Sequence, residues 1–364
     1  MTPSGSLHGG NLIATTLLAS MALVAFADAQ TITTFDVPNA TSTQPAAINA
    51  AGVVAGTYSD SIGQHGFVRE ADGTVIPFDA PPPISGVPRS DTAATSINAV
   101  GQITGYVYPI TYFRSGYIRQ PDGTFVEFGG DCNGPTSSGE AMNEVLPIAG
   151  VFYDEGTTPT ALNNKGQITG WCGPGASISF GFSRGTDGSI TVFEPEQVPD
   201  PSTQPIAINS HGEITGDYLE RQPVTVYRGF IREPDGTMTT FAVPSTSSTS
   251  QSTVVTAINS KGQITGYTDR GFLRQSNGKI VIFNVPHSIS TQPASINAGG
   301  DITGVYVDEN NLYHGFIRHN DGTIETFKVP NAINTYPTGI NNKREITGWY
   351  SDAGGTHGFV RTRQ

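Results

Sequence analysis

Three acid–histidine pairs recur along the chain: Asp60 with His65, Asp308 with His314, and Asp352 with His357. A carboxylate beside an imidazole can run acid–base chemistry or hold a metal ion. Recurrence argues for a loop fastener instead, because a catalytic centre needs only one copy. Arg228 and Arg270 stand in the histidine slot of two other copies, as interchangeable fasteners would. A second set follows each "ITG"-like triplet: Thr57, Tyr106, Trp171, Asp217, Tyr267, Val305 and Trp349, with Tyr108, Tyr112, Phe113 and Tyr313 close by in sequence. Flat rings with polar tips suit stacking ligands such as sugars; packing between repeats is the plainer reading. G-x-S-x-G, HExxH, CxxC, P-loop, G-x-G-x-x-G and EF-hand patterns are absent, so no metal and no cofactor is expected.

The elements that position these residues come from a repeat. "PAAINAAGVVAGTYSD", "PIAINSHGEITGDYL" and "PTGINNKREITGWYSD" are three of seven copies, anchored at Asn49, Asn98, Asn163, Asn209, Asn259, Asn297 and Asn341. All but the last continue through an "HGFVR"-like strand and a "DGT"-like turn to a strand ending in Phe. Asn opens a tight turn by bonding its own backbone, and Gly at its fourth position tolerates positive φ. Asp-Gly does the same for the second hairpin. A Gly recurring inside the second strand marks close backbone approach near a crowded axis. Neighbouring Phe anchors lie 42 to 50 residues apart, except for one gap of 65. Four short strands in that period predict one propeller blade.

The last copy, "THGFVRTRQ", lacks its fourth strand, and "TITTFDVPNA" at 31–40 is a fourth strand with nothing before it. Pairing the two removes two exposed edges. The expectation is an all-β, closed seven-bladed β-propeller over 30–364, a single domain, with 31–36 against 357–362. Residues 141–154 resemble a degenerate hairpin, read as an insertion near 133–160; an eighth, incomplete blade is the alternative. Cys132 and Cys172 bracket that segment and are a candidate disulfide if the chain is exported; two unpaired thiols are the alternative.

Export is suggested by residues 1–29. An apolar run ends in Ala27-Asp28-Ala29, a small-x-small pattern for cleavage after Ala29, although no Lys or Arg precedes it. The run is shorter than the roughly 20 residues of a spanning helix, so no membrane span is expected after cleavage. With 19 Lys+Arg against 31 Asp+Glu and no basic run, nucleic acid is excluded as a partner. A monomer is expected.

The grammar "AIN..GqitGyy.d….HgF.r..dGt...f" resembles the HAF-type repeat family of exported bacterial proteins, over nearly all of 31–364. It departs from that pattern at Gly66, Gly315 and Gly358, where the family has Ala, and at Arg69, Arg318 and Arg361, where an aromatic is commoner. The resemblance implies export and a repeat fold and carries over no catalytic residues.

Function is expected in the long second-to-third and fourth-to-first loops, which share one face and vary while the strands repeat. The favoured reading is an exported propeller that binds an extracellular ligand, carbohydrate first, on that face. An exported polysaccharide lyase or glycoside hydrolase acting at the channel mouth is the alternative, and a structural surface protein the second; enzymatic activity is left open. Departures from the common grammar in repeats two to four nominate Tyr108, Tyr112, Phe113, Trp171, Asp217, Glu220 and Arg228, and the aromatic slot adds Trp349.

Overall fold

The computed structural model describes residues 30–82, 90–109, 114–129, 155–174, 179–196, 198, 202–221, 223–245 and 251–363. Every regular element among them is a strand. β1 (Gln30–Phe35) precedes a meander of β2 (Ser42–Ile48), β3 (Val54–Ser59), β4 (Gln64–Arg69) and β5 (Val75–Phe78). Five four-stranded antiparallel sheets follow. The first two are β6 (Ser90–Ile97), β7 (Ile103–Pro109), β8 (Ser115–Arg119), β9 (Phe125–Phe128), and β10 (Glu155–Leu162), β11 (Ile168–Pro174), β12 (Phe180–Arg184), β13 (Ile190–Phe193). Next come β14 (Ser202–Ile208), β15 (Ile214–Glu220), β16 (Val226–Arg232), β17 (Met238–Phe241), and β18 (Val254–Ile258), β19 (Ile264–Tyr267), β20 (Gly271–Arg274), β21 (Ile280–Phe283). The fifth is β22 (Ser290–Ile296), β23 (Ile302–Val307), β24 (Tyr313–Arg318), β25 (Ile324–Phe327). β26 (Asn334–Ile340), β27 (Ile346–Ser351) and β28 (Thr356–Arg363) complete the chain. β1 lies antiparallel to β28, with Gln30 opposite Arg363 and Phe35 opposite Gly358. A single parallel bridge, Ser42 to Thr356, joins this group to β2. The architecture is a β-propeller.

Local chemistry explains the hairpins. Asn49 Oδ1 accepts the N–H groups of Ala51 and Val53, both at 3.0 Å, and Gly52 takes the positive φ that the turn demands. The second-strand Gly has a more local cause than crowding at the axis. A Cβ on Gly56 would lie 2.5 Å from the carbonyl oxygen of Gln44 on its own sheet and 2.6 Å from the Phe67 ring. Each first strand carries a bulge near its middle, Pro45/Ala47 in the first repeat.

Between sheets the repeat builds one joint many times. The terminal Phe of one repeat meets the third-strand aromatic of the next edge-on, as in Phe35 with Phe67 at 5.9 Å and Phe283 with Phe316 at 6.2 Å. The Arg closing that third strand lies over the same Phe: Arg69 over Phe35 at 5.0 Å, Arg318 over Phe283 at 4.9 Å, Arg361 over Phe327 at 4.8 Å. Both departures from the HAF-type pattern meet a terminal Phe, the Arg that of the preceding repeat and the Gly that of its own sheet. Arg replaces an aromatic because it caps the preceding Phe. Gly replaces Ala because a Cβ at Gly66, Gly315 or Gly358 would come within 2.3, 2.5 and 2.7 Å of the terminal Phe ring. The apolar core is correspondingly divided into layers between neighbouring sheets, such as Ala55 and Val68 with Ile97, Ile103 and Tyr117.

Candidate functional site

The acid–histidine pairs lie where the second strand turns into the third. His65 Nε2 is 3.3 Å from Asp60 and its Nδ1 is 2.7 Å from Asp79 Oδ1. His357 is held the same way, by Asp352 at 3.2 Å and Asp36 at 2.9 Å. His314 has Asp308 at 2.9 Å, and Lys328 stands where Asp36 and Asp79 stand in the other two. Partial burial opposes the charged ring of His65 and of His357, but the flanking carboxylates prevail and raise both. The bond from His314 and the N–H groups of Leu312 and Asn310 hold Asp308 down to about 2. Each acid also caps its own loop: Asp60 Oδ1 accepts from Ile62 at 2.7 Å and Gly63 at 3.1 Å. A tyrosine covers each ring, Tyr58 on His65 at 4.9 Å and Tyr350 on His357 at 5.1 Å. Both ring nitrogens of His65 and of His357 are thus engaged, one by the acid of the same loop and one by an acid just beyond the paired fourth strand.

The slot after the "ITG"-like triplet faces the next repeat, and its chemistry follows one residue there. Thr57 Oγ1 accepts the N–H of Ala94 at 3.2 Å, and Asp217 Oδ2 accepts the N–H of Val255 at 3.3 Å. Ala94 and Val255 occupy the first-strand bulge position that is Pro45, Pro159, Pro205, Pro293 or Pro337 in the other repeats. Proline has no N–H to offer. Ahead of those prolines the slot holds Trp349, Tyr106, Trp171, Tyr267 and Val305. Asp217, nominated for ligand contact, is a buried joint residue, and burial pushes its carboxyl up to about 7. Glu220 and Arg228 form an ion pair with each other at 2.8 Å.

Two joints gather several rings near the long-loop end. Arg114, just before β8, has its guanidinium 4.9 Å from the Tyr106 ring, 5.4 Å from Tyr108 and 5.8 Å from Trp171. Tyr108 is 42% exposed, and Trp171 is half-buried. At the corresponding joint between the sixth and seventh repeats, Tyr313 lies 5.0 Å from Tyr336, which stacks on Trp349 at 3.9 Å. Arg114 and Tyr313 share a register position two residues before the third-strand Gly, and Thr158 and Tyr336 are the partners of the two tryptophans. Arg114, Thr158 and Tyr336 were not singled out by sequence; the signal was their shared place in the aligned repeats. Tyr112, Phe113, Cys132 and residues 1–29 lie outside the described residues, as do 133–154 of the expected insertion, whereas 155–160 belong to β10. Cys172 is buried in β11 and disulfide-bonded.

At the short-turn end, the anchoring asparagines make a cycle. Asn49 Nδ2 donates to the carbonyl of Asn98, Asn98 to Asn163, Asn163 to Asn209 and Asn209 to Asn259. Asn259 continues to Asn297, Asn297 to Asn341, and Asn341 returns to Asn49 at 3.0 Å. A cavity of about 290 Å³ lies there, lined by these asparagines and by Ile48, Ile97, Leu162, Ile208, Ile258, Ile296 and Ile340. A second, of about 230 Å³, lies on the same side, lined by Glu213, Glu233 and Arg274 among others. Both are at the end opposite the long loops. Among the described residues no three His, Cys, Asp or Glu side chains are grouped to hold a metal ion, and no helix is long and apolar enough to cross a membrane.

No family model matches the chain and no curated protein matches it, so the HAF-type resemblance rests on the repeat residues alone. Solved structures do match. Virginiamycin B lyase from Staphylococcus aureus superposes with a TM-score of 0.57 at 16% identity, over 92% of this chain and 100% of that one. Puromycin hydrolase gives 0.54 at 14% identity, over 87% of this chain and 52% of that one. The β-propeller domain of the Trilobed protease from Pyrococcus furiosus gives 0.52 at 9% identity, over 87% and 95%. At such identities the likeness is one of fold: the chain is a β-propeller protein, of a fold that hosts unrelated functions.

Proposed function

We propose that this is an exported, monomeric binding protein: a closed seven-bladed propeller over 30–364, behind a signal peptide at 1–29, that takes an extracellular carbohydrate at its long-loop end. The closed ring is supported by the β1–β28 pairing, by Phe35 of that strand packing on Phe67, and by the asparagine cycle that returns to Asn49.

One observation carries the binding reading. The chain has two tryptophans; both occupy the slot, half-buried, Trp171 against Arg114 of the preceding repeat and Trp349 against Tyr336 of its own sheet, which Tyr313 of the preceding repeat covers in turn. A shallow ring-lined site built twice on one grammar is what a multivalent binder uses, whereas turnover asks for unlike polar groups meeting once. The acid–histidine groups that a lyase or hydrolase would draw on are engaged in their own loops.

The test is intrinsic tryptophan fluorescence of the mature protein against a panel of oligosaccharides, with mass spectrometry of the sugars afterwards. Saturable quenching without new products supports a binder. Cleaved or unsaturated products would make it an enzyme, and silence across the panel would remove carbohydrate from the reading.

A further inference from the structure

The two tryptophan joints share a frame but differ in charge. At Trp349 the neighbours are Tyr336 and Tyr313, a neutral stack. At Trp171 the corresponding positions hold Thr158 and Arg114, so a guanidinium replaces the outer ring. Other arginines near the same end have carboxylates, Arg228 with Glu220 at 2.8 Å and Arg270 with Asp269 at 3.8 Å. Arg114 has three ring faces and a long bond from Nη1 to Thr158 Oγ1 at 3.4 Å. Its Nε is buried without a hydrogen-bond partner, and among the described residues no carboxylate pairs with it. Arg69, Arg119, Arg184 and Arg318 share the buried, unbonded Nε, but each closes a third strand over a single terminal Phe; Arg114 differs in lying at the other end of that strand among three rings. Ring quadrupoles attract a guanidinium but accept none of its hydrogen bonds in the way a carboxylate fork does.

We propose that the Arg114 site is selective for saccharides carrying a carboxylate, sugars of the uronate type: the carboxylate takes the donors of Arg114 while the sugar ring lies on Trp171 or Tyr108. The Trp349 site, with no cation in its stack, takes neutral rings. This inference rests on the reading that the tryptophan joints bind carbohydrate.

The experiment uses the mature chain with Trp349→Phe, which keeps a ring at that joint and leaves Trp171 as the sole reporter. The probes are an oligosaccharide of galacturonic acid and its fully methyl-esterified form, which share the sugar backbone and differ by the loss of each carboxylate charge and the gain of one methyl group. The acid form is expected to shift Trp171 emission and to bind at least about tenfold more tightly than the ester, weakening as salt is raised. Arg114→Gln should remove at least about tenfold of the affinity for the acid, and Arg114→Lys, which keeps the charge and loses the fork, should fall between. Equal affinity for acid and ester, or a folded Arg114→Gln variant that binds the acid undiminished, would overturn the selectivity and leave carbohydrate binding standing. If Arg114→Gln fails to fold, the acid–ester comparison on the intact arginine decides alone. If neither probe, nor any neutral sugar on the unsubstituted protein, perturbs either tryptophan, the selectivity and the binding reading fall together.

Discussion

Asp217 shows how one residue's neighbours decide its role. In sequence it is a polar departure in an aromatic slot, which suggested a ligand contact. In the fold it accepts the N–H that Val255 offers because the usual proline is missing, as Thr57 does for Ala94. A carboxylate is a costly acceptor in a buried joint. Burial raises its folded pKa to about 7, above the ordinary aspartate value of 3.8, so between these the folded state holds a proton that the unfolded chain releases. The penalty is therefore complete above pH 7, shrinks as pH falls from 7 towards 4, and vanishes below that; its ceiling is roughly 4 kcal/mol. Asp217→Thr, copying the first repeat, should raise the melting temperature by several degrees at pH 8 and by little at pH 4. Melts of the two proteins across that range check it; a gain independent of pH would show that the ionised carboxyl is not the cause.

The turn at 341–345 makes the same point for an element. Six copies of this turn place Gly at the fourth position, and the seventh has Arg344, which holds a left-handed φ of 64°. That conformation costs of order 1 kcal/mol for a side chain with a Cβ. The offset is an ion pair: Arg344 Nε lies 2.8 Å from Asp301 Oδ2 on the preceding repeat, where Asp301 is nearly buried and also takes Asn297 Nδ2 and the Asn320 N–H. Burial works against the charged Asp301, yet these partners lower it overall. Other repeats put Gln102, Gln167 or Gln263 there, each bonded to its own turn Asn at 2.8 Å. Arg344→Gly alone should destabilise by about 1–2 kcal/mol, because strain relief does not compensate a nearly buried acid stripped of its cation. Adding Asp301→Gln, which restores the common pair, should recover most of that loss. Chemical denaturation of both variants measures it; additive losses would refute the coupling.

At the scale of the molecule, β1 is the element on which a closed ring depends. It covers the edge of β28, and Phe35 is at once the edge-on partner of Phe67 and the ring beneath Arg69. Deleting 30–38 exposes a strand edge and empties one joint, a loss of at least about 3–5 kcal/mol from the aromatic alone. Thermal melts of the truncated and mature chains should differ sharply, and an unchanged melt would overturn the ring.

The repeat spacing, the Asn and Asp-Gly turns and the orphan strand at 31–38 were legible in sequence because each is local chemistry copied many times. That Asp60, Asp308 and Asp352 meet His65, His314 and His357 was legible for the same reason. The other partners were not. The slot residue answers to a position in the next repeat, 37 residues on for Thr57 and 38 for Asp217, so its meaning appears only once neighbouring sheets face each other. Asp79 and Asp36, the second partners of His65 and His357, come from a different strand in one case and from the opposite end of the chain in the other. Nothing in the sequence singles out Arg114; packing sets three rings around it. Backbone turns are decided by the residues within them, whereas the charge and exposure of a side chain are decided by what the fold brings against it.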